Sequence, residues 1–265
     1  MSGDVPHVVL VGDETRRLVD AIGVVAGVLG EPPTIVGGVA VLCRVQRAHR
    51  ATSDLDALDL RRVERPADHD SQAGHPTRSI LELLRASPGA KPVAPAAASV
   101  ITPSGPVRVD VIDVLEVPDS ANIEDPTDRL YEMAHAWAFR TATEVRIDAW
   151  GSDGSVSSSV ARVAEAGPLV AMKLQSVLLR STAKEGTDLH DIVTILLDPV
   201  ARDAALSQLV DCDPTIAADA ALHAERWFVA QVDRTLRLIR TAGAFDVGRD
   251  DLDLVADLLR VATRR

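Results

Sequence analysis

Apolar positions recur at three- and four-residue intervals between Thr15 and Leu29, where Leu18, Ile22, Val25 and Leu29 form one stripe. That spacing predicts an amphipathic helix, which Glu31-Pro32-Pro33 stops. Thr34 to Val36 then reads as a short strand, Gly37-Gly38 as a turn into a second helix from Val39 to about Gln46, and Arg47 to Arg50 as a polar connection. From Ser53 to Leu58 the pattern alternates, so a strand there puts Asp54 and Asp56 on one face and Leu55 and Ala57 on the other.

Seven of the fifteen prolines fall between Pro66 and Pro106. They predict an elaborated connection with a single short helix near Ser79 to Leu84. Val107 to Leu115 is valine-rich and apolar on both faces, as a central strand is. Pro126 to Thr141 reads as a helix, and Glu144 to Trp150 and Val156 to Ala164 as strands joined through Gly151-Ser152-Asp153-Gly154. From Gly167 onward only helical spacing remains, at Leu169 to Arg180, Asp188 to Leu197, Ala201 to Val210, Ile216 to Arg240 and Asp251 to Val261. The expectation is an α/β (α+β) protein, with a mixed sheet in residues 1–166 and a helical bundle in residues 167–265. Trp137, Trp150 and Trp227 are expected in the core.

A chain of 265 residues that is 46% hydrophobic can bury a substantial core. Cys43 and Cys212 are the only cysteines and lie far apart, which argues against a disulfide framework and fits a reducing cytoplasm. Cys43, in an apolar run, reads as core. No basic segment precedes an apolar one at the N-terminus, and Ala21 to Leu29 is too short to span a bilayer, so no membrane association is expected. The net charge of −11 argues against a general nucleic-acid coat. A local basic surface remains open, because Arg44, Arg47, His49 and Arg50 precede the aspartate pair and Arg61, Arg62 and Arg65 follow it.

The chemistry is carried by the diglycine and the acids. At a helix start, Gly37 and Gly38 let backbone N–H groups approach phosphate oxygens where the helix dipole favours negative charge. Asp54 and Asp56 are hard oxygen ligands of the kind that hold Mg²⁺. Asp110 and Asp113 are the candidates for a third carboxylate. Three apart on a strand, they point to opposite faces, and Asp110 is preferred because an acid embedded in an apolar strand needs a cation, whether a metal or an arginine. Arg50 is a phosphate candidate through its planar fork; Ser53 and Thr52 either bind phosphate or cap and pack. His49 reads as a polar turn residue, and His135, His190 and His223 as structural.

Glycine-glycine, then Asp-x-Asp, then a third acid resembles the nucleotidyltransferase superfamily, and within it the AbiEii toxin family with its MenT-like members. The narrower likeness rests on Lys173-Leu174-Gln175-Ser176-Val177-Leu178-Leu179-Arg180 and on Asp188-Leu189-His190-Asp191-Ile192. Fifteen residues separate Lys173 from Asp188, so two helices can form a hairpin that joins them. The family commonly has a basic residue just before the first aspartate of the last block. Here Thr187 stands there and Lys184 lies earlier.

The resemblance implies a nucleotidyltransferase fold completed by the helical part, and Mg²⁺ held by Asp54, Asp56 and Asp110. It further implies an NTP held by Gly37, Gly38, Ser53, Arg50 and Lys173, with Asp188 assisting the attacking hydroxyl. The acceptor it implies is RNA, at the tRNA 3′ end, in a toxin with a cognate antitoxin. The rival readings are transfer to a small hydroxylated molecule such as an aminoglycoside or to a protein hydroxyl, and a non-catalytic binding module.

Overall fold

The computed structural model describes residues 5–62, 78–116, 122–178 and 182–264; Arg65, Leu179 and Arg180 lie outside them. The chain divides into two compact units. The first comprises Met1–Val39, Arg50–Pro118 and Ala142–Val163, and the second Ala40–His49, Asp119–Thr141 and Ala164–Arg265. The division is therefore not a single cut near residue 166. Residues 40–49 and 119–141 group with the helices that follow the last strand.

The first unit is built on a mixed eight-stranded sheet of order β1-β7-β8-β2-β3-β6-β5-β4. Its strands are β1 (His7–Val11), β2 (Thr34–Val36), β3 (Asp54–Arg62), β4 (Ala90–Ala94), β5 (Ala97–Thr102), β6 (Gly105–Glu116), β7 (Thr143–Trp150) and β8 (Val156–Val163). Helix α1 (Asp13–Leu29) packs along β5 to β8, burying Leu18, Val19, Ala21, Ile22 and Val25. It ends as its sequence dictates. Gly30 adopts the left-handed conformation at φ 78° and donates to the Ala26 carbonyl, and two prolines follow.

Strand register divides the sheet into two faces. Ser159 Oγ donates to the Val19 carbonyl of α1 at 2.8 Å, so Ser159, Ala161 and Val163 of β8 face that helix. Residues directly paired across strands share a face, and Val163 pairs Ile35, Ile35 pairs Ala57, and Ala57 pairs Val111. This α1 side is thus an apolar layer, in which Ile35, Ala57, Ala161 and Val163 are fully buried. Val36, Asp54, Asp56 and Asp110 belong to the opposite face.

Helices α4 (Pro126–Thr141), α5 (Ala166–Ser176), α6 (Thr182–Leu197), α7 (Pro199–Asp211), α8 (Pro214–Glu225), α9 (Val232–Thr241) and α10 (Arg249–Thr263) belong to the second unit. Proline and aspartate set two of the starts. Asp198 accepts from the Val200 and Ala201 N–H groups ahead of Pro199, and Asp213 accepts from Thr215 N–H ahead of Pro214. Among the described residues there are also α2 (Gly37–Arg44) and α3 (Ile80–Ala86), the latter capped by Ser79 and Glu82 in a reciprocal pair.

Three expectations are corrected and one strand is added. The chain from Ile216 to Arg240 is not one helix, because a π-helical turn at Arg226–Ala230 separates α8 from α9. The wider turn lets neighbouring Trp227 and Phe228 both point inward at 1% exposure, and Thr235 Oγ1 donates to the Trp227 carbonyl at 2.7 Å. The proline-rich connection holds the β4/β5 hairpin as well as its helix. Pro92 is tolerated because β4 is an edge strand with an irregular register at that point. Strand β1 is added to the expected elements, although the apolar run Val8-Val9-Leu10-Val11 signals it. Trp150 is 48% exposed, not core.

Cys43 is core, and burial pushes its thiol up to about 12. Among the described residues, no helix is long and apolar enough to cross a membrane.

A Cβ at Gly186 of α6 would lie 2.3 Å from the Leu238 carbonyl oxygen of α9, whereas one at Gly27 of α1 would meet nothing within 4 Å. Gly186→Ala is expected to destabilise by about 3 kcal/mol, since a backbone neighbour cannot swing aside. Gly27→Ala is expected to stabilise by up to about 1 kcal/mol. Denaturant midpoints of the two variants measure both, and equal midpoints would refute the tight α6–α9 contact.

Candidate active site

The turn from β2 into α2 stands against β3. Val36 pairs with Asp56 across the antiparallel strands, so the residue after Val36 meets the Asp56 side chain. That residue is Gly37, at φ +65°, a backbone conformation costly for a residue with a side chain. Space imposes the same requirement, because a Cβ there would fall 1.9 Å from Asp56 Oδ2. A Cβ on Gly38 would fall 2.9 Å from both Arg50 Nη2 and Thr52 Oγ1. The first turn of α2, whose N–H groups have no partner within the helix, is therefore lined by a carboxylate, a guanidinium and a hydroxyl.

The acids are ordered by the parallel pairing of β3 with β6. Asp54 stands opposite Arg108, Asp56 opposite Asp110, and Asp59 opposite Asp113. Asp110 accordingly shares the face of Asp54 and Asp56, and Asp113 lies on the other. There Asp113 pairs with Arg61, and Asp59 accepts from the Ile80 N–H that begins α3 at 2.8 Å. Ser53 Oγ donates to Asp54.

Arg108 is the residue that sequence reasoning missed. Its Nε and Nη2 donate to Asp110 at 2.9 and 2.7 Å. Hydrogen bonding to Asp110 and the charge of that carboxylate hold the guanidinium above its ordinary pKa, and the charges of Asp54 and Asp56 act the same way. The signal was present: Arg108 precedes Asp110 by two residues on a strand, hence on the same face.

Three carboxylates on one face have the donor chemistry that a hard divalent cation needs, and the glycine at position 37 leaves Asp56 room beside the helix start. Donor type and register fit such an ion. The present rotamers do not converge: among the described residues no three His, Cys, Asp or Glu side chains are grouped to hold a metal.

Lys173 and Asp188 belong to the second unit and meet as the hairpin spacing requires. Lys173 Nζ lies 2.8 Å from Asp188 and 2.6 Å from Asp191. Ser176 Oγ donates to Asp188 at 3.0 Å, and His49 Nε2 lies 2.6 Å from Asp191 with its ring edge-on to His190. Helix α5 is buried from Ala166 through Gln175, which places Lys173 inside a packed layer. Burial works against its charge, and Asp188 and Asp191 more than restore it, leaving its pKa above the usual lysine value.

His49 is thus no simple turn residue but an anchor on α6. Arg44 is also turned inward, donating to the Ala164 carbonyl and pairing with Glu165, each at 2.9 Å. The basic cluster read before the aspartate pair loses at least Arg44 and His49 to internal contacts.

Lys173→Met is expected to cost about 3–5 kcal/mol, because it leaves two carboxylates buried without their counter-ion. Adding Asp191→Asn should recover part of that loss. Chemical denaturation of the single and double variants tests the pairing, and a cost under about 1 kcal/mol would show that the lysine is not its counter-ion. No protein-family model matches this chain, and no curated protein matches it.

Proposed function

We propose that the chain is an Mg²⁺-dependent nucleotidyltransferase of the AbiEii type that moves a nucleotide from an NTP onto a hydroxyl of RNA. The observation that carries the proposal is the Gly37 turn closed directly onto Asp56, with Asp54 and Asp110 on the same sheet face. Asp54, Asp56 and Asp110 would hold the divalent ion, which supplies charge neutralisation at the α-phosphorus. The N–H groups of Gly37 and Gly38 orient phosphate oxygens, with Arg50 and Ser53 beside them. The acceptor oxygen forms a bond to the α-phosphorus while the bond to the β-phosphate bridge breaks. Pyrophosphate leaves with the electron pair of the broken bond, and the hydroxyl proton passes to solvent water or, as the family resemblance implies, to Asp188.

The acceptor class follows the family resemblance, which points to the tRNA 3′ end, a block on translation and an antitoxin partner. From the same source come phosphate contact for Lys173 and orientation of the attacking hydroxyl for Asp188. The Arg108–Asp110 pair favours a second reading, a non-catalytic module whose acids are neutralised by arginine.

Purified protein incubated with each labelled NTP, Mg²⁺ and either tRNA, protein extract or aminoglycosides is expected to label tRNA. Asp56→Asn should lower the rate by several kcal/mol of barrier, on the order of 10³-fold. Gly37→Ala should lower it too, by pushing the Asp56 carboxylate out of place. Label on another acceptor would replace RNA with that acceptor, and no label on any, in wild type as in Asp56→Asn, would favour the binding module.

A further inference from the structure

We propose that Arg108 is a resident counter-ion that competes with the divalent cation for the Asp110 carboxylate, so that metal enters the acid face only as the guanidinium lets go. The inference rests on the metal-dependent reading above and gives a role to a residue outside the expected site.

Asp110 offers two carboxylate oxygens, and Arg108 engages both: Nε lies 2.9 and 3.1 Å from them, and Nη2 lies 2.7 Å from the first. These contacts take up most of the carboxylate's lone-pair directions, so a metal binding there must share or displace the guanidinium. By register Arg108 stands opposite Asp54, and Asp110 opposite Asp56, so the four charges form a compact block on one face of two adjacent strands. Even with Arg50 nearby at the α2 turn as well as Arg108, three carboxylates leave the block net negative, which keeps it attractive to a divalent ion.

The exchange is mechanically feasible. The Arg108 side chain is 49% exposed, whereas that of Asp110 is 19% exposed. The acid is held by the sheet and the arginine is the partner able to swing. A half-exposed ion pair is weak enough to break at small cost, unlike the fully buried pairs of Lys173. Swinging outward, the guanidinium also gains a destination, because a triphosphate arriving with its cation brings oxygens suited to the planar fork.

The measurement is Mn²⁺ affinity, by calorimetry or paramagnetic titration without nucleotide, of wild type, Arg108→Ala, Arg108→Lys and Asp110→Asn. Arg108→Ala is expected to bind Mn²⁺ roughly fivefold more tightly than wild type, with Arg108→Lys between them. Combined with Asp110→Asn, the Arg108→Ala gain should vanish. Melting curves in a chelator and then in Mn²⁺ report on folding, and Arg108→Ala should melt lower in the chelator and gain more from Mn²⁺. Equal or weaker Mn²⁺ binding by Arg108→Ala would overturn the competition while leaving the metal site standing. Absence of Mn²⁺ binding in every protein, or binding indifferent to Asp54→Ala and Asp56→Asn, would overturn the metal reading and this inference with it.

Discussion

The α-carbon of Gly37 and the carboxylate of Asp56 share a space in which a methyl group has no room. From that contact the acid face is laid out residue by residue. Antiparallel pairing with β2 places Asp56 beside the head of α2, and parallel pairing with β6 places Asp110 beside Asp56. The pleat does the rest, sending Asp54 to the same side and Asp59 with Asp113 to the other. A slip of one residue between β3 and β6 would exchange Asp110 for an apolar neighbour and bury a carboxylate against α1. Burial of Ala57 and Val109 on that side opposes such a slip.

The two groups of charges differ in the medium around them. Arg108 and Asp110 stand at the sheet surface, where water can replace either partner. Lys173, Asp188 and Asp191 are all below a tenth exposed, and Asp191 also bonds His49. Partners in such a place exchange only at the cost of stripping a charge bare. The second group therefore specifies how α5 seats against α6. Loss of activity in a Lys173 variant would mix any role at phosphate with loss of that seating.

Much of this was legible in the chain. The three-residue strand Thr34–Val36, the helix Pro126–Thr141 and the strands at β6 to β8 follow directly from periodicity, because each buries one face or both against a single layer. That Asp54 and Asp56 share a face and that Asp110 and Asp113 do not follows from alternation, whereas which of the latter joins the pair depends on the pairing of β3 with β6. Most of what escaped depends on distant partners. Strand β1 is five residues long and takes its place from pairing with β7, more than a hundred residues away. The β4/β5 hairpin is hidden by proline and alanine, residues weak in strand propensity but acceptable at an edge. The break before α9 arises from how Trp227 and Phe228 pack, which no local rule encodes. Arg108 escaped although its partner Asp110 lies two residues along the same strand, whereas the partner of His49 lies far off in α6 and is visible only once the side chains meet.

Burial of both native thiols, with Cys43 pushed to about 12, leaves the surface chemically silent toward maleimides near neutral pH. A cysteine introduced at an exposed position such as Val200 or Phe245 would then be the sole reactive group. A fluorophore or nitroxide attached there would report on the protein against an unlabelled background, with no need to remove either native sulfur from the core.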